Sequence, residues 1–424
     1  MSLSEIQRGQ LTGRIYSSSK GFHYVSSKST KDGNYQKQQT LYQWFLSILK
    51  EIFLPAGYPK SVSSDYLGYQ IWDTVQAFAS SITNALAFSA ILEGMGVGDE
   101  KASVLSATFV WLVKDGVGML GRILFAWLHG TGLDSNLKMW RFYADILNDL
   151  ATSIDLLAPF FKHLLLPIAC LSNLCRSIVG VAGGSTRAAL AQHQAIAHNM
   201  GDVSAKDGSQ ETLVNLLALV VNIFLLHMVK RDQFIVWFLY FALTTLHLFA
   251  NYRAIRTLQL RTFNWNRFVL ICKNYFPKKE MPTVAYINRH EPILMEVCQS
   301  LKCYVGMRLN ENEVKSMNID QFLRYHFAIS FNQSSNRFDV VLTDTCNDQD
   351  LIQCYFLLQY LIHSTRFDEF YIIPSNISWI DLDRLHTVTK NLYEDFLSKA
   401  QAMGWDITQA KFLVNSYRYT SKQH

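Results

Sequence analysis

The sequence predicts a mainly α-helical protein: a membrane-embedded bundle of about six helices, followed by a smaller α+β soluble domain. Three observations carry that expectation. Charged residues form 17% of the chain, against about 25% in ordinary soluble domains, and they thin out in the middle. Only 25 fall within residues 61–250, against 37 in the shorter stretch 251–424. Two neighbouring segments, 212–229 and 234–249, carry no formal charge at all. Beyond residue 281 the long apolar segments give way to short runs bounded by polar clusters.

Taken in order, residues 1–40 hold eight Ser and six Lys or Arg against two acids. That composition predicts a flexible polar tail, and the absence of an apolar core in its first residues argues against a cleaved secretory signal. Residues 41–54 place Leu41, Trp44, Phe45, Ile48, Leu49, Ile52 and Phe53 at helical spacing, and Pro55-Ala-Gly57-Tyr-Pro59 ends that helix. A helical membrane domain over 41–258 follows from segments at about 66–95, 101–129, 138–158, 160–195, 211–229 and 234–257. Fourteen of the 21 glycines lie between residues 65 and 250. Glycine inside a helix costs about 1 kcal/mol in water, whereas in lipid small residues let helix backbones approach. The uncharged arms 212–229 and 234–249, joined by Lys230-Arg-Asp-Gln233, read as a helical hairpin close to the roughly 20 residues that span a bilayer. A lipid membrane is the expected partner.

Residues 259–280 read as a basic linker. From Arg253 to Lys279 seven positive side chains arrive before the first acid, Glu280. By the positive-inside bias this predicts that the C-terminal domain, 281–424, faces the cytosol. In that domain the runs 283–287, 303–309, 327–331, 338–343, 371–373 and 412–414 are predicted as strands, with helices over 350–363 and 381–403. The formal charge of +5 is spread over 39 basic and 34 acidic residues, so nucleic acid is not an expected partner. Seven cysteines without a C-x-x-C pair read as buried, reduced thiols, and no metal site is expected.

Several motifs resemble one known family. They are Gly57-Tyr-Pro-x-Ser-Val62-x-x-Asp65-Tyr-Leu, Trp72-Asp-x-x-Gln76, Gly96-Val-Gly98 and Trp111-x-x-Lys114-Asp-Gly116-x-Gly118-Met-Leu-Gly-Arg-Ile123. Next come Leu133-Asp-Ser-Asn-x-Lys138-x-Trp-Arg141, Ala144-Asp-x-x-Asn-Asp149 and Val179-Gly-Val-Ala-Gly-Gly184-x-Thr-Arg-Ala188. Asn199-Met-x-Asp-Val-Ser-Ala-Lys-Asp-Gly-Ser-Gln-Glu211 completes the set. Together they resemble the root UVB sensitive (RUS) family, densely over residues 55–225 and loosely elsewhere. The resemblance implies a eukaryotic membrane protein associated in plants with UV-B responses, vitamin B6 homeostasis and auxin transport. It implies no defined chemical activity.

Three charged constellations are candidate ligand-binding sites. Lys114, Asp115 and Arg122 stand in an apolar helix, where charges at membrane depth are expensive and are retained for function. If they lie at a turn, they are solvated helix ends. Lys138, Arg141, Asp145 and Asp149 continue along one helix face. That mixed stripe would take a small anionic or zwitterionic ligand, or serve as surface ion pairs. Arg187, beside Gly183-Gly184, with Asp202 and Lys206, forms the third. Small residues next to a fixed positive charge admit an anion, and a structural pair is the alternative. Ser209 reads as the N-cap of the following apolar helix, with Glu211 in its first turn.

Conventional enzyme motifs are missing: no G-x-S-x-G, no H-E-x-x-H, no Walker loop. Gly116-x-Gly118-x-x-Gly121 has dinucleotide-loop spacing but sits within a helical apolar run. No cofactor is assigned. The expected function is non-enzymatic, a transporter-like carrier of a small solute. The alternatives are a membrane scaffold acting through partners, including homo- or hetero-oligomers with family relatives, and an enzyme linked to vitamin B6 metabolism, although Lys114 and Lys206 lack the α/β surroundings that a Schiff-base lysine usually has.

Overall fold

The computed structural model describes residues 2–7, 10–18, 22–25, 41–96, 104–229, 232–295, 297, 302–309, 311–364, 377–415 and 417–420. Two compact units emerge: Met1–Ser89 with Arg187–Ala250, and Ala90–Thr186 with Asn251–His424. Where the sequence reads as a polar tail, three antiparallel strands are found: β1 (Ser2–Gln7), β2 (Gln10–Ser18) and β3 (Phe22–Val25).

The amphipathic segment forms α1 (Leu41–Phe53). Six long helices follow: α2 (Tyr66–Gly94), α3 (Val104–His129), α4 (Leu137–Leu156), α5 (Leu165–Gln194), α6 (Met200–Val229) and α7 (Gln233–Thr257). Four helical stretches, Tyr66–Gly94, Lys162–Gln194, Met200–Leu225 and Gln233–Thr257, are long and apolar enough to cross a membrane. α3 and α4 carry more charge. Among the described residues, four apolar helices of spanning length thus stand where the sequence predicts a bundle of about six membrane helices. α6 starts at Met200, three turns before the expected position, so Ser209 lies inside the helix and caps nothing.

Glycine's close-approach role appears at particular positions in the second unit. A Cβ on Gly118 would fall 2.4 Å from Asn173 Nδ2, and one on Gly121 would fall 2.4 Å from Leu174 Cδ1, so α3 lies against α5 there. Asn173 Nδ2 donates to the Lys114 carbonyl at 2.8 Å, an interhelical bond that needs this proximity.

The stretch read as a basic linker is folded. It contains β4 (Thr262–Phe263) and α8 (Trp265–Lys278), and Phe268, Ile271, Cys272 and Tyr275 of α8 are fully buried in the C-terminal core. Apolar residues at helical spacing between the basic ones explain the difference: Lys273 and Lys278 stay exposed, the core takes the opposite side, and Arg267 is buried with it. α9 (Val284–His290) replaces the strand expected at 283–287, because Thr283 caps it by accepting from the Tyr286 amide. Then follow β5 (Lys302–Val305), α10 (Glu311–Ser316), α11 (Ile319–Tyr325), β6 (Phe327–Asn332), β7 (Arg337–Leu342), α12 (Asp348–His363), β8 (Ile377–Trp379), α13 (Leu382–Ala402) and β9 (Asp406–Ala410).

The main sheet has order β5-β7-β6-β8, with β5 parallel to β7 and the other pairs antiparallel. β4 pairs in parallel with β9, which ties the start of this fold to its end. Residues 412–414 are not a strand, β5 stops at Val305, and the expected strand at 371–373 lies outside the described residues.

Candidate functional site

Arg187, Asp202 and Lys206 come together in the first unit, where the end of α5 meets the start of α6. Arg187 pairs with two carboxylates, Asp207 and Glu211, each at 2.5 Å. Gln70 Nε2 of α2 donates to the other Asp207 oxygen at 3.2 Å. Arg187 is therefore already matched by two acids. Asp202, in the first turn of α6, accepts from the Ala56 amide at 2.6 Å. Lys206 Nζ donates to the Glu51 carbonyl and Gln210 Nε2 to the Phe53 carbonyl, so two α6 side chains cap the C-terminal end of α1.

Beside this cluster lies an open, largely apolar pocket of about 220 Å³, lined by Phe53, Leu54, Leu67, Ile71, Leu213 and Val214, with Tyr66, Gln70, Thr74 and Gln210 also in its lining. Gln210 also donates to the Tyr66 hydroxyl at 3.3 Å, so one amide faces both the α1 end and the cavity. On the neighbouring turn His193 Nε2 lies 2.9 Å from Asp65 Oδ2, and Ser63 Oγ donates to the other Asp65 oxygen. Asp65 is 4% exposed, and this hydroxyl and imidazole are what make its burial tolerable.

The other seven candidates lie in the second unit, on separate partners. Lys114 Nζ stands 3.6 Å over the Trp111 ring and 3.9 Å from Asp115, while Asp115 and Arg122 are exposed on α3. All three are in mid-helix, so the turn alternative falls. Lys138 is 4% exposed; its Nζ meets Glu291 Oε2 at 2.9 Å and Asn288 Oδ1 at 2.8 Å. It is not part of an open stripe. Arg267 completes the group, donating to both Glu291 oxygens at 2.9 and 3.2 Å, with Asn264 Nδ2 at 3.0 Å from Glu291 Oε1. Burial alone would raise the Glu291 carboxyl, but the Arg267 and Lys138 charges outweigh it and hold it down to about 2. Further along α4, Arg141 is half-buried, Asp145 accepts from Asn251 Nδ2, and Asp149 is buried.

Sequence reasoning passed over Tyr66, Gln70, Arg267 and Glu291 as site residues. For Arg267 and Glu291 a usable signal existed, since both stand within apolar core spacing, where a charge must be paired. Gln70 gave none.

Both halves of the chain match family models. Residues 39–279 match the vitamin B6 photo-protection and homoeostasis domain, and residues 280–421 match the C-terminal domain of root UVB sensitive proteins. The chain belongs to the root UVB sensitive family. RUS family member 1 of Dictyostelium discoideum is 46% identical over 270 residues, covering 62% of this chain and 51% of that protein, so the match spans about half of its length. Protein root UVB sensitive 3 of Arabidopsis thaliana is 30% identical over 408 residues, 92% of this chain and 90% of the relative. Protein root UVB sensitive 2, chloroplastic, of the same plant is 27% identical over 362 residues, 83% of this chain and 80% of its own. No solved structure matches.

Proposed function

We propose that this member of the vitamin B6 homoeostasis family is a non-enzymatic integral membrane protein that carries a small zwitterionic or anionic solute. The carrying observation is the cavity beside α1, α2 and α6. At about 220 Å³ it is smaller than the roughly 300 Å³ at which drug-sized pockets begin, a volume suited to one substituted ring. Its apolar walls would hold the ring, and Tyr66, Gln70 and Gln210 would hold its polar substituents. Asp65, Asp202, Asp207 and Glu211 outnumber Arg187 and Lys206 in the surrounding cluster, which favours a zwitterion over a plain anion. The domain name printed for residues 39–279 makes B6 vitamers the first solutes to test.

The membrane part of the reading rests on the four long apolar helices, and the basic residues after α7 favour a cytosolic C-terminal domain. The test is flux across liposomes containing the purified protein, with a panel of B6 vitamers and organic anions. Expected is uptake above protein-free liposomes that Gln70→Leu abolishes while membrane insertion persists. Uptake equal to the protein-free control for every solute would overturn the carrier reading.

A scaffold acting through family relatives has one observation of its own. Gly180 and Gly184, one helical turn apart on α5, have open space where a Cβ would stand, and a partner helix could approach there. The enzyme reading is the weakest alternative: Lys114 is stacked on Trp111 and Lys206 is bound to a carbonyl, so a Schiff-base role would require either to leave its partner.

A further inference from the structure

The end of α7 and the first turns of the C-terminal fold build a surface that neither the carrier reading nor the family description uses. Arg253 and Arg256 stand three residues apart on the last turns of α7, hence on neighbouring positions of one face. Arg256 lies 5.1 Å over the ring of Tyr252, and its Nη1 donates to the carbonyls of Arg289 and Glu291 at 2.8 and 2.9 Å. Those bonds bring the exposed Arg289 and His290 to the end of α7. His290 packs against Tyr286, the ring centroids 4.3 Å apart and the planes tilted by 36°. Tyr143 reaches the same segment, its hydroxyl donating to the Leu294 carbonyl at 3.5 Å.

This surface therefore combines three arginines, a histidine and three tyrosines with two apolar side chains directed outward, Leu294 at 42% and Met295 at 76% exposure. Among the described residues of Tyr286–Met295 the acid is Glu291, and it faces inward to Lys138 and Arg267. Tyrosines with one apolar and one wet end, arginines in reach of phosphate, and protruding apolar tips are what a bilayer interface selects. It also stands where an apolar helix of spanning length ends.

We propose that the segment around Tyr286–Met295, together with Arg253 and Arg256, docks the C-terminal domain onto an anionic phospholipid surface. The headgroup phosphates sit on Arg253 and Arg289, and Leu294 and Met295 enter the acyl boundary. Arg256 is the positioning residue, since its bonds to the 289 and 291 carbonyls hold the two arginines in one surface. The inference rests on the membrane reading of α7 but not on any carrier activity.

The test uses the full-length protein in uncharged detergent, titrated with short-chain phosphatidylserine, short-chain phosphatidylcholine or inorganic phosphate, with binding followed by thermophoresis. Phosphatidylserine should bind and the other two should not. Removing both surface arginines, Arg253→Gln with Arg289→Gln, should raise the half-saturating concentration about 25-fold, roughly fivefold for each. The Arg253→Lys with Arg289→Lys pair should restore most of the binding, which keeps the test informative if the glutamine pair folds badly. Equal binding of phosphatidylcholine, or saturation by phosphate alone, overturns the proposal, as does unchanged binding by a folded glutamine pair. Alkaline carbonate extraction of the wild type separates the two levels. Protein that stays in the pellet yet lacks anionic preference sinks this inference alone, whereas protein in the supernatant sinks the membrane reading beneath it.

Discussion

Glu291 shows how much a single buried carboxylate can control. Its ordinary value of 4.5 is lowered to about 2 by Arg267 and Lys138 against the opposing effect of burial. A carboxyl held low in the folded state stabilises that state above its unfolded value, and the contribution disappears as pH falls through the folded value. The C-terminal fold should thus lose stability between about pH 4.5 and pH 2, as followed by circular dichroism during acid titration. Glu291→Gln should flatten that part of the curve. At neutral pH it should cost about 3–5 kcal/mol by chemical denaturation, because two buried cations lose their anion. Gly306 makes a second, purely steric prediction. Its φ is +80° and a Cβ would fall 2.5 Å from the Asn415 carbonyl oxygen. Gly306→Ala should lower stability by about 1–3 kcal/mol in the same assay. At this scale the sequence was least legible. Lys138 was recognisable as charged, but its partners at 288 and 291 lie some 150 residues away, and no local spacing encodes such a pairing.

At the scale of elements, most of what is long and periodic was legible, and most of what is short was not. The expected long helices correspond to α2 through α7 because their apolar residues recur over many turns, so errors at the ends do not erase the signal. The start of α6 was misplaced because Ser209 with Glu211 imitates a cap, while the true beginning at Met200 is a polar stretch that helix packing holds. α9 was misread because Val284-Ala-Tyr-Ile287 is a short β-prone run, whereas the Thr283 cap and the Asn288 bonds to Leu260 decide for helix. The glycines of α3 give a paired prediction. Gly118→Ala should displace Asn173 and lower the melting temperature of detergent-solubilised protein, at a cost of about 1–3 kcal/mol. Gly116→Ala, on the same helix with open space around it, should be neutral or stabilising by up to about 1 kcal/mol. Equal losses at both positions would mean that α3 does not depend on close approach to α5.

For the molecule as a whole, the decisive quantity is the fit between helix length and exposed apolar surface. α6 and α7 contain 30 and 25 residues, about 45 and 37 Å at 1.5 Å per residue, against a hydrocarbon core of about 30 Å. α6 thus has several turns to spare, and the spare turns are its polar beginning, where Asp202, Lys206, Asp207 and Glu211 meet backbone and side-chain partners. Its remainder exposes Phe224 at 67%, and α7 exposes Phe234 at 79% and Phe238 at 63%. In water such faces would aggregate, because soluble monomers rarely carry contiguous apolar patches beyond a few hundred Å². In lipid the same faces would cost nothing, and on the membrane reading the polar turns would mark where the bilayer ends. The protein should accordingly remain in the pellet after alkaline carbonate extraction and require detergent for solubility. Phe224→Lys should reduce its recovery in that pellet, since a charge within a spanning helix costs up to about 2.5–3.5 kcal/mol on insertion, the most at its centre. Glu211→Gln, in the polar turns, should leave recovery unchanged. Recovery of monodisperse wild-type protein in the carbonate supernatant, or equal behaviour of the two variants, would show that water or another protein, and not lipid, covers these faces.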